Sequence, residues 1–256
     1  MLKNTLKEKL EKNQPTYGPF IGFPSPAIVE MMGWLGYDFV VIDCEHGTID
    51  FETAEHMIRA AQLSGTTAVV RIGLNEPKHL LRFLEAGAEG VLIPMINNVK
   101  DAKDVIEAVK FPPVGKRGNY SGRASQHGII TMDKYAPAAN RETFIALQIE
   151  TPEGLENQDE IIATEHADCI FLGPGDLSLN FGYPGQPTHP EVIETIEGLT
   201  KKIRAAGKQA GTVAGSPEQA KFWYDRGINW LLPATTRFLL GAAQQYIDGA
   251  KKAIGS

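Results

Sequence analysis

Five times the chain repeats one phrase: apolar residues every three or four positions, a glycine, then a short, continuously apolar run. The phrase reads MMGWLGYDFVVID, AAQLSGTTAVVRI, FLEAGAEGVLIPM, KIRAAGKQAGTVA and FWYDRGINWLLPA. Three-to-four spacing is the period of an amphipathic helix. Gly36, Gly65, Gly87, Gly207 and Gly227 stand where a helix C-terminus calls for a left-handed residue. The runs after them lack the alternation of a half-exposed strand, so they predict parallel strands covered on both faces. TFIALQIE and DCIFLGPGD have the same character, and GPFIGF is a shorter candidate. Eight strands are thus predicted, near 20–23, 38–43, 67–72, 90–95, 143–150, 168–173, 208–213 and 229–234. Helical stretches such as PKHLLRFLEA, VKDAKDVIEAVK and PEVIETIEGLTKKIRAA separate them.

Strand–helix alternation over the whole length places the chain in the α/β class. It favours a single (β/α)8 barrel, a TIM barrel spanning 1–256 as one domain, over a doubly wound sheet. A dinucleotide-binding sheet would carry GxGxxG after its first strand; none is there, so no nucleotide cofactor is expected. MLKNTLKEKLEKNQ, with Leu2, Leu6 and Leu10 among charges, reads as a short amphipathic helix before the barrel and not as a signal peptide. RFLLGAAQQYIDGAKKAIG predicts an amphipathic helix after it. The segment from Phe111 to Asn140 is rich in Gly, Ser and Arg without strong periodicity, and excursions of that length are usually functional or at an interface.

Composition narrows the partners. The 256 residues are 43% hydrophobic, and 25 Lys plus Arg stand against 31 Asp plus Glu, a net charge of −6. A nucleic-acid or anionic-membrane surface needs the opposite balance. No run approaches the roughly 18 apolar residues of a spanning helix. Two cysteines, Cys44 and Cys169, sit in apolar runs and read as free buried thiols, so a cytoplasmic location is expected.

On a barrel of this kind, chemistry collects at the C-terminal strand ends. Asp43, Glu45 and His46 follow the second strand, and Arg71 ends the third. Gln148 and Glu150 end the fifth, and Asp176 follows a Gly173-Pro174-Gly175 turn after the sixth. Each alone is more often a loop cap or salt bridge; together on one rim they point to function. Two carboxylates, Glu150 and Asp176, are the usual protein share for Mg²⁺ or Mn²⁺, which keeps other positions for water or substrate oxygens. A 2-oxo acid supplies a matching oxygen pair, and the glycine-flanked turn lets backbone N–H groups approach its carboxylate. Arg71 suits charge developing on an enolate, and His46 suits proton transfer. A Schiff-base enzyme would need a lysine at a strand mouth, and no predicted strand ends in one; Lys208 begins its strand and Lys116 lies in the excursion.

IDCEHG, VVRI, LIPM, PPVGKRG, QIETPEGLEN and FLGPGDLSLNFG, in that order, resemble the signatures of the HpcH/HpaI family of class II 2-oxo acid aldolases. The likeness runs over roughly residues 18 to 250. It implies a (β/α)8 barrel that cleaves 4-hydroxy-2-oxo or 2-dehydro-3-deoxy sugar acids to pyruvate and an aldehyde with a divalent metal (Mg²⁺, Mn²⁺ or Co²⁺). By that resemblance His46 is the general base, Arg71 stabilises the enolate, and Glu85 is an acid that raises the basicity of His46. Glu150 and Asp176 are the metal ligands, while Arg71, Gln148, Gly173, Gly175 and Asp176 meet the substrate. It further implies a C-terminal helix swapped between protomers and a homo-hexamer built as a trimer of dimers. The excursion and the loops GTVAGSPEQ and PATTR are expected to shape the aldehyde pocket. A metal-dependent oxaloacetate decarboxylase or a citrate-lyase-like carbon–carbon lyase on the same site is the alternative.

Overall fold

The computed structural model describes residues 3–255. Nine short strands form one parallel sheet: β1 (Thr16–Tyr17), β2 (Phe20–Ile21), β3 (Phe39–Asp43), β4 (Thr67–Arg71), β5 (Gly90–Ile93), β6 (Phe144–Ile149), β7 (Cys169–Leu172), β8 (Gln209–Val213) and β9 (Trp230–Leu232). Their order is β1-β9-β8-β7-β6-β5-β4-β3-β2. The two ends of that order are neighbours in the chain, separated only by Gly18 and Pro19. What the hydrophobic pattern predicts as one first strand is therefore two halves, one paired with β9 and the other with β3. A bridge from Phe20 to Ala234 joins the halves' surroundings, so the sheet curls into a barrel-like arrangement.

Helix α1 (Thr5–Glu11) precedes the sheet, and α2 (Pro26–Trp34), α3 (Phe51–Ser64), α4 (Pro77–Glu85), α5 (Val99–Val109) and α6 (Met132–Glu142) lie between strands in the first half. The second half carries α7 (Pro152–Glu156), α8 (Gln158–Ile162), α9 (Pro174–Asn180), α10 (Pro190–Ala205), α11 (Pro217–Tyr224) and α12 (Thr235–Ile254). All five glycines of the repeated phrase have positive φ, from 75° at Gly207 to 101° at Gly87. Each ends a helix and turns the chain into the next strand, as a left-handed cap does.

The period of two along each strand sorts the core into layers. Ile145, Leu147 and Ile149 of β6 pack with helix residues such as Val105 and Ile161. Phe144 and Ala146 point the other way and join Phe39, Val41, Val69, Phe171 and Trp230 on the inner face. Leu6 and Leu10 of α1 complete that inner cluster, while Leu2 lies outside the described residues. Asn4 donates its side-chain amide to the carbonyls of Glu89 and Glu142, just ahead of β5 and β6, so α1 closes the N-terminal end of the sheet.

The excursion joins α5 to β6, so its two ends lie at the N-terminal rim. Lys110 donates to the carbonyls of Asn140 and Thr143, and Arg123 to that of Ala86. Lys116, Arg117 and Gly118 line a surface pocket with Asn75 and Pro77, which follow β4. The loops 214–216 and 233–234 follow β8 and β9 at the mouth end. In α12 only Thr235 is buried.

Candidate active site

The inner-face alternation that places Phe39 and Val41 also places Asp43 at the end of β3. In β4 it carries from Val69 to Arg71, in β6 from Phe144 and Ala146 to Gln148 and Glu150, and after β7 from Phe171 to Gly173. An apolar inner layer thus gives way, one pleat further along β3, β4 and β6, to a polar one. Asp43 and Arg71 are register partners, each the last residue of its strand.

Arg71 is locked in place. Its Nε and Nη2 donate to the two carboxylate oxygens of Asp43 at 2.9 and 2.6 Å, and its guanidinium lies 4.6 Å from the centre of the Phe20 ring. Burial opposes ionisation of Asp43, but Arg71 and the backbone amides of His46 and Glu45 outweigh it and hold the carboxyl below its ordinary range. Glu45 Oε2 lies 3.3 Å from Arg71 Nε and 3.6 Å from His46 Nε2. Burial raises the Glu45 carboxyl above its usual value, with Arg71 opposing. The imidazole itself is 67% exposed, so it stands open to an incoming molecule.

Glu150 is buried and held at three points. Oε1 accepts the Met95 amide at 3.1 Å, Oε2 accepts from Gln148 Nε2, and the Glu150 carbonyl accepts from Asn180 Nδ2 at 2.9 Å. Burial pushes its carboxyl up to about 7; Gln148 opposes, and Asp176 in the first turn of α9 adds to the rise. Gly173 passes close by: a Cβ there would lie 2.7 Å from Glu150 Oε2. Around Gly175 there is open space. Among the described residues no group of three or more His, Cys, Asp or Glu gathers for a metal. Two adjacent carboxylates, one of them disfavoured as an anion by burial and then by its neighbour, nevertheless fit a hard divalent cation that keeps further positions for other oxygens.

The strand mouths therefore bring together His46, Arg71, Gln148, Glu150, Gly173, Gly175 and Asp176. They do not bring in Glu85. Helix α4 starts at the mouth end after β4 and runs back, so its last residue, Glu85, reaches the opposite rim near Gly122. Burial raises its carboxyl, with Arg117 opposing. The acid that lies beside His46 in this chain is Glu45. The lysines weighed for imine chemistry also sit elsewhere. Lys208 donates to the carbonyls of Thr164 and Ala167 ahead of β7, and Lys116 pairs with Glu107. Sequence reading gave no role to Asp43, Met95 or Asn180. For Asp43 the signal was present: two successive strand patterns end in charges of opposite sign.

A base, an arginine and two carboxylates at the C-terminal rim of a parallel α/β sheet make up an enzyme-like site. The family model described as HpcH/HpaI aldolase/citrate lyase matches residues 16–227, and the chain belongs to that family. It is 35% identical over 219 residues to a 2-dehydro-3,6-dideoxy-6-sulfogluconate aldolase of Pseudomonas putida, covering 85% of each chain. It is 33% identical to a hydroxypyruvate/pyruvate aldolase of Roseovarius nubinhibens, covering 89% of each. Its fold matches a solved HpcH/HpaI aldolase/citrate lyase family protein from Burkholderia cenocepacia with a TM-score of 0.92 and 29% identity, covering 97% of this chain and 100% of that one.

Proposed function

We propose that this protein is a class II aldolase that uses a divalent metal to cleave a 4-hydroxy-2-oxo acid, reversibly, into pyruvate and an aldehyde. One observation carries the reading: Glu150, a buried carboxylate pushed up to about 7 beside Asp176, shares a rim with an arginine locked by Asp43. Glu150 and Asp176 would hold Mg²⁺, Mn²⁺ or Co²⁺, which when bound supplies a Lewis acid for the substrate's keto oxygen. Gln148 and the first-turn amides of Gly175 and Asp176, which have no acceptor inside the helix, orient the oxo acid.

His46 takes the proton of the C4 hydroxyl, the C3–C4 bond breaks, and the aldehyde leaves. The electron pair passes into the pyruvate enolate, whose oxygen faces the Arg71 donors not spent on Asp43. A proton delivered to C3 then yields pyruvate. The two named relatives are named for different substrates, so the identity of the aldehyde is not carried over.

Pyruvate release from a panel of 4-hydroxy-2-oxo acids and from oxaloacetate, with and without EDTA, tests the reading. Chelator-sensitive release from hydroxy-oxo acids supports it. Release from oxaloacetate alone would make the protein a decarboxylase, and full activity after exhaustive chelation would remove the metal.

Assembly with further copies belongs to the same reading. Phe238, Leu239, Leu240, Tyr246 and Ile247 of α12 are exposed, which suits a helix that packs on a second protomer. Deleting residues 236–256 should lower the mass measured by light scattering.

A further inference from the structure

Met95 holds a backbone conformation that its residue type resists. Its φ is 55°, two positions past the end of β5. Left-handed backbone is a region that Gly, Asn and Asp enter readily and other side chains seldom do. Five non-glycine residues adopt it among those described: Asn13, Met95, Gln126, His127 and His166. Only Met95 lies after a strand, at the mouth; the others lie between a helix and the strand that follows it, or in the excursion. The residue is 53% exposed, so packing does not force the conformation.

The turn has a visible consequence. The Met95 amide donates to Glu150 Oε1 at 3.1 Å, and the next amide, Ile96, donates to the Gln148 carbonyl at 3.1 Å. One left-handed residue thus aims two successive amides at the end of β6. The first is the partner of Glu150 Oε1, while Gln148 occupies Oε2. Without it the Glu150 carboxylate would be tied through one oxygen and free to rotate. Backbone held in sparsely populated regions concentrates at sites where it is part of the machinery.

We propose that Met95 is a positioning residue of this site: its left-handed backbone fixes the carboxylate plane of Glu150, so the Glu150 oxygens are arranged before a divalent cation arrives. This rests on the metal reading given above. What matters is the backbone conformation and not the thioether, and the two are separable by substitution. Glycine and asparagine keep the left-handed turn and lose the side chain; valine, branched at Cβ, disfavours the turn.

Mn²⁺ binding by calorimetry, with circular-dichroism melting as a control, is measured on wild type, Met95→Gly, Met95→Asn, Met95→Ala and Met95→Val. Met95→Gly and Met95→Asn are expected to bind Mn²⁺ as wild type does. Met95→Val is expected to bind about 10–100-fold more weakly, the usual loss when a partner of a metal ligand is removed. Met95→Ala should fall between, and it replaces valine in the comparison if Met95→Val does not fold. Wild-type affinity in Met95→Val, or in Met95→Ala if that is the variant compared, overturns the proposal. So does equal weakening in all four variants. Absence of Mn²⁺ binding by the wild type would overturn the metal reading itself, and the proposal with it.

Discussion

Asp43 and Arg71 end adjacent parallel strands in register, and the carboxylate grips the guanidinium through both oxygens, at 2.9 and 2.6 Å. A bidentate pair fixes the plane of the arginine as well as its position. Its remaining donors then point to one place without rearrangement, which is what stabilising a developing charge requires.

Arg71 and His46 should separate by reaction. Arg71→Ala removes a preorganised donor and should lower kcat by about 10²–10³ for aldol cleavage and for oxaloacetate decarboxylation alike. His46→Ala should lower cleavage by about 10²–10⁴ and spare decarboxylation, where no hydroxyl proton has to be taken. Steady-state rates for both substrates on both variants decide it. Equal damage by His46→Ala to the two reactions would refute the assignment.

Gly173→Ala should be far more harmful than its size implies. The φ of Gly173 is −87°, which alanine accepts, so the penalty is steric alone. The added Cβ would stand 2.7 Å from Glu150 Oε2 and 3.1 Å from Glu150 Cβ. Crowding of this kind typically costs about 1–3 kcal/mol. Gly175→Ala, with open space around it, should leave stability and Mn²⁺ affinity unchanged; calorimetry and urea unfolding on the pair provide the comparison.

The raised Glu150 carboxyl makes a prediction for the metal-free protein. It titrates near 4.5 unfolded and at about 7 folded. Between those values the folded state holds a proton that the unfolded chain has lost, so this group's contribution to stability falls as pH rises through the window and levels above it. The full loss is on the order of 3 kcal/mol. Urea unfolding in EDTA at pH 5, 6, 7 and 8 should show wild type losing ground against Glu150→Gln. A constant difference between the two would contradict the shift.

Borohydride added with pyruvate should leave the protein mass unchanged. Lys208 is occupied by two carbonyls ahead of β7, and Lys116 pairs with Glu107. A reduced pyruvate adduct on any lysine, seen by mass spectrometry, would replace the enolate mechanism with an imine one.

Much of this was legible in the chain itself. Five glycines with positive φ mark helix ends because only a residue without Cβ enters that conformation freely. Continuous apolar runs after them predicted strands covered on both faces, and counting by twos from Phe144 and Ala146 of the inner face reaches Gln148 and Glu150. Those are local properties, set by backbone sterics and by which side of a pleat each residue occupies. Other features needed the folded molecule. The first strand divides at Gly18-Pro19 because it must pair with β9 on one side and β3 on the other, a demand made by the curl of the whole sheet. Glu85 falls at the far rim because a helix between parallel strands must run back, so a motif match along the chain does not place it beside His46. The left-handed turn at Met95 serves a carboxylate 55 positions away, a contact that exists only once β5 and β6 are paired.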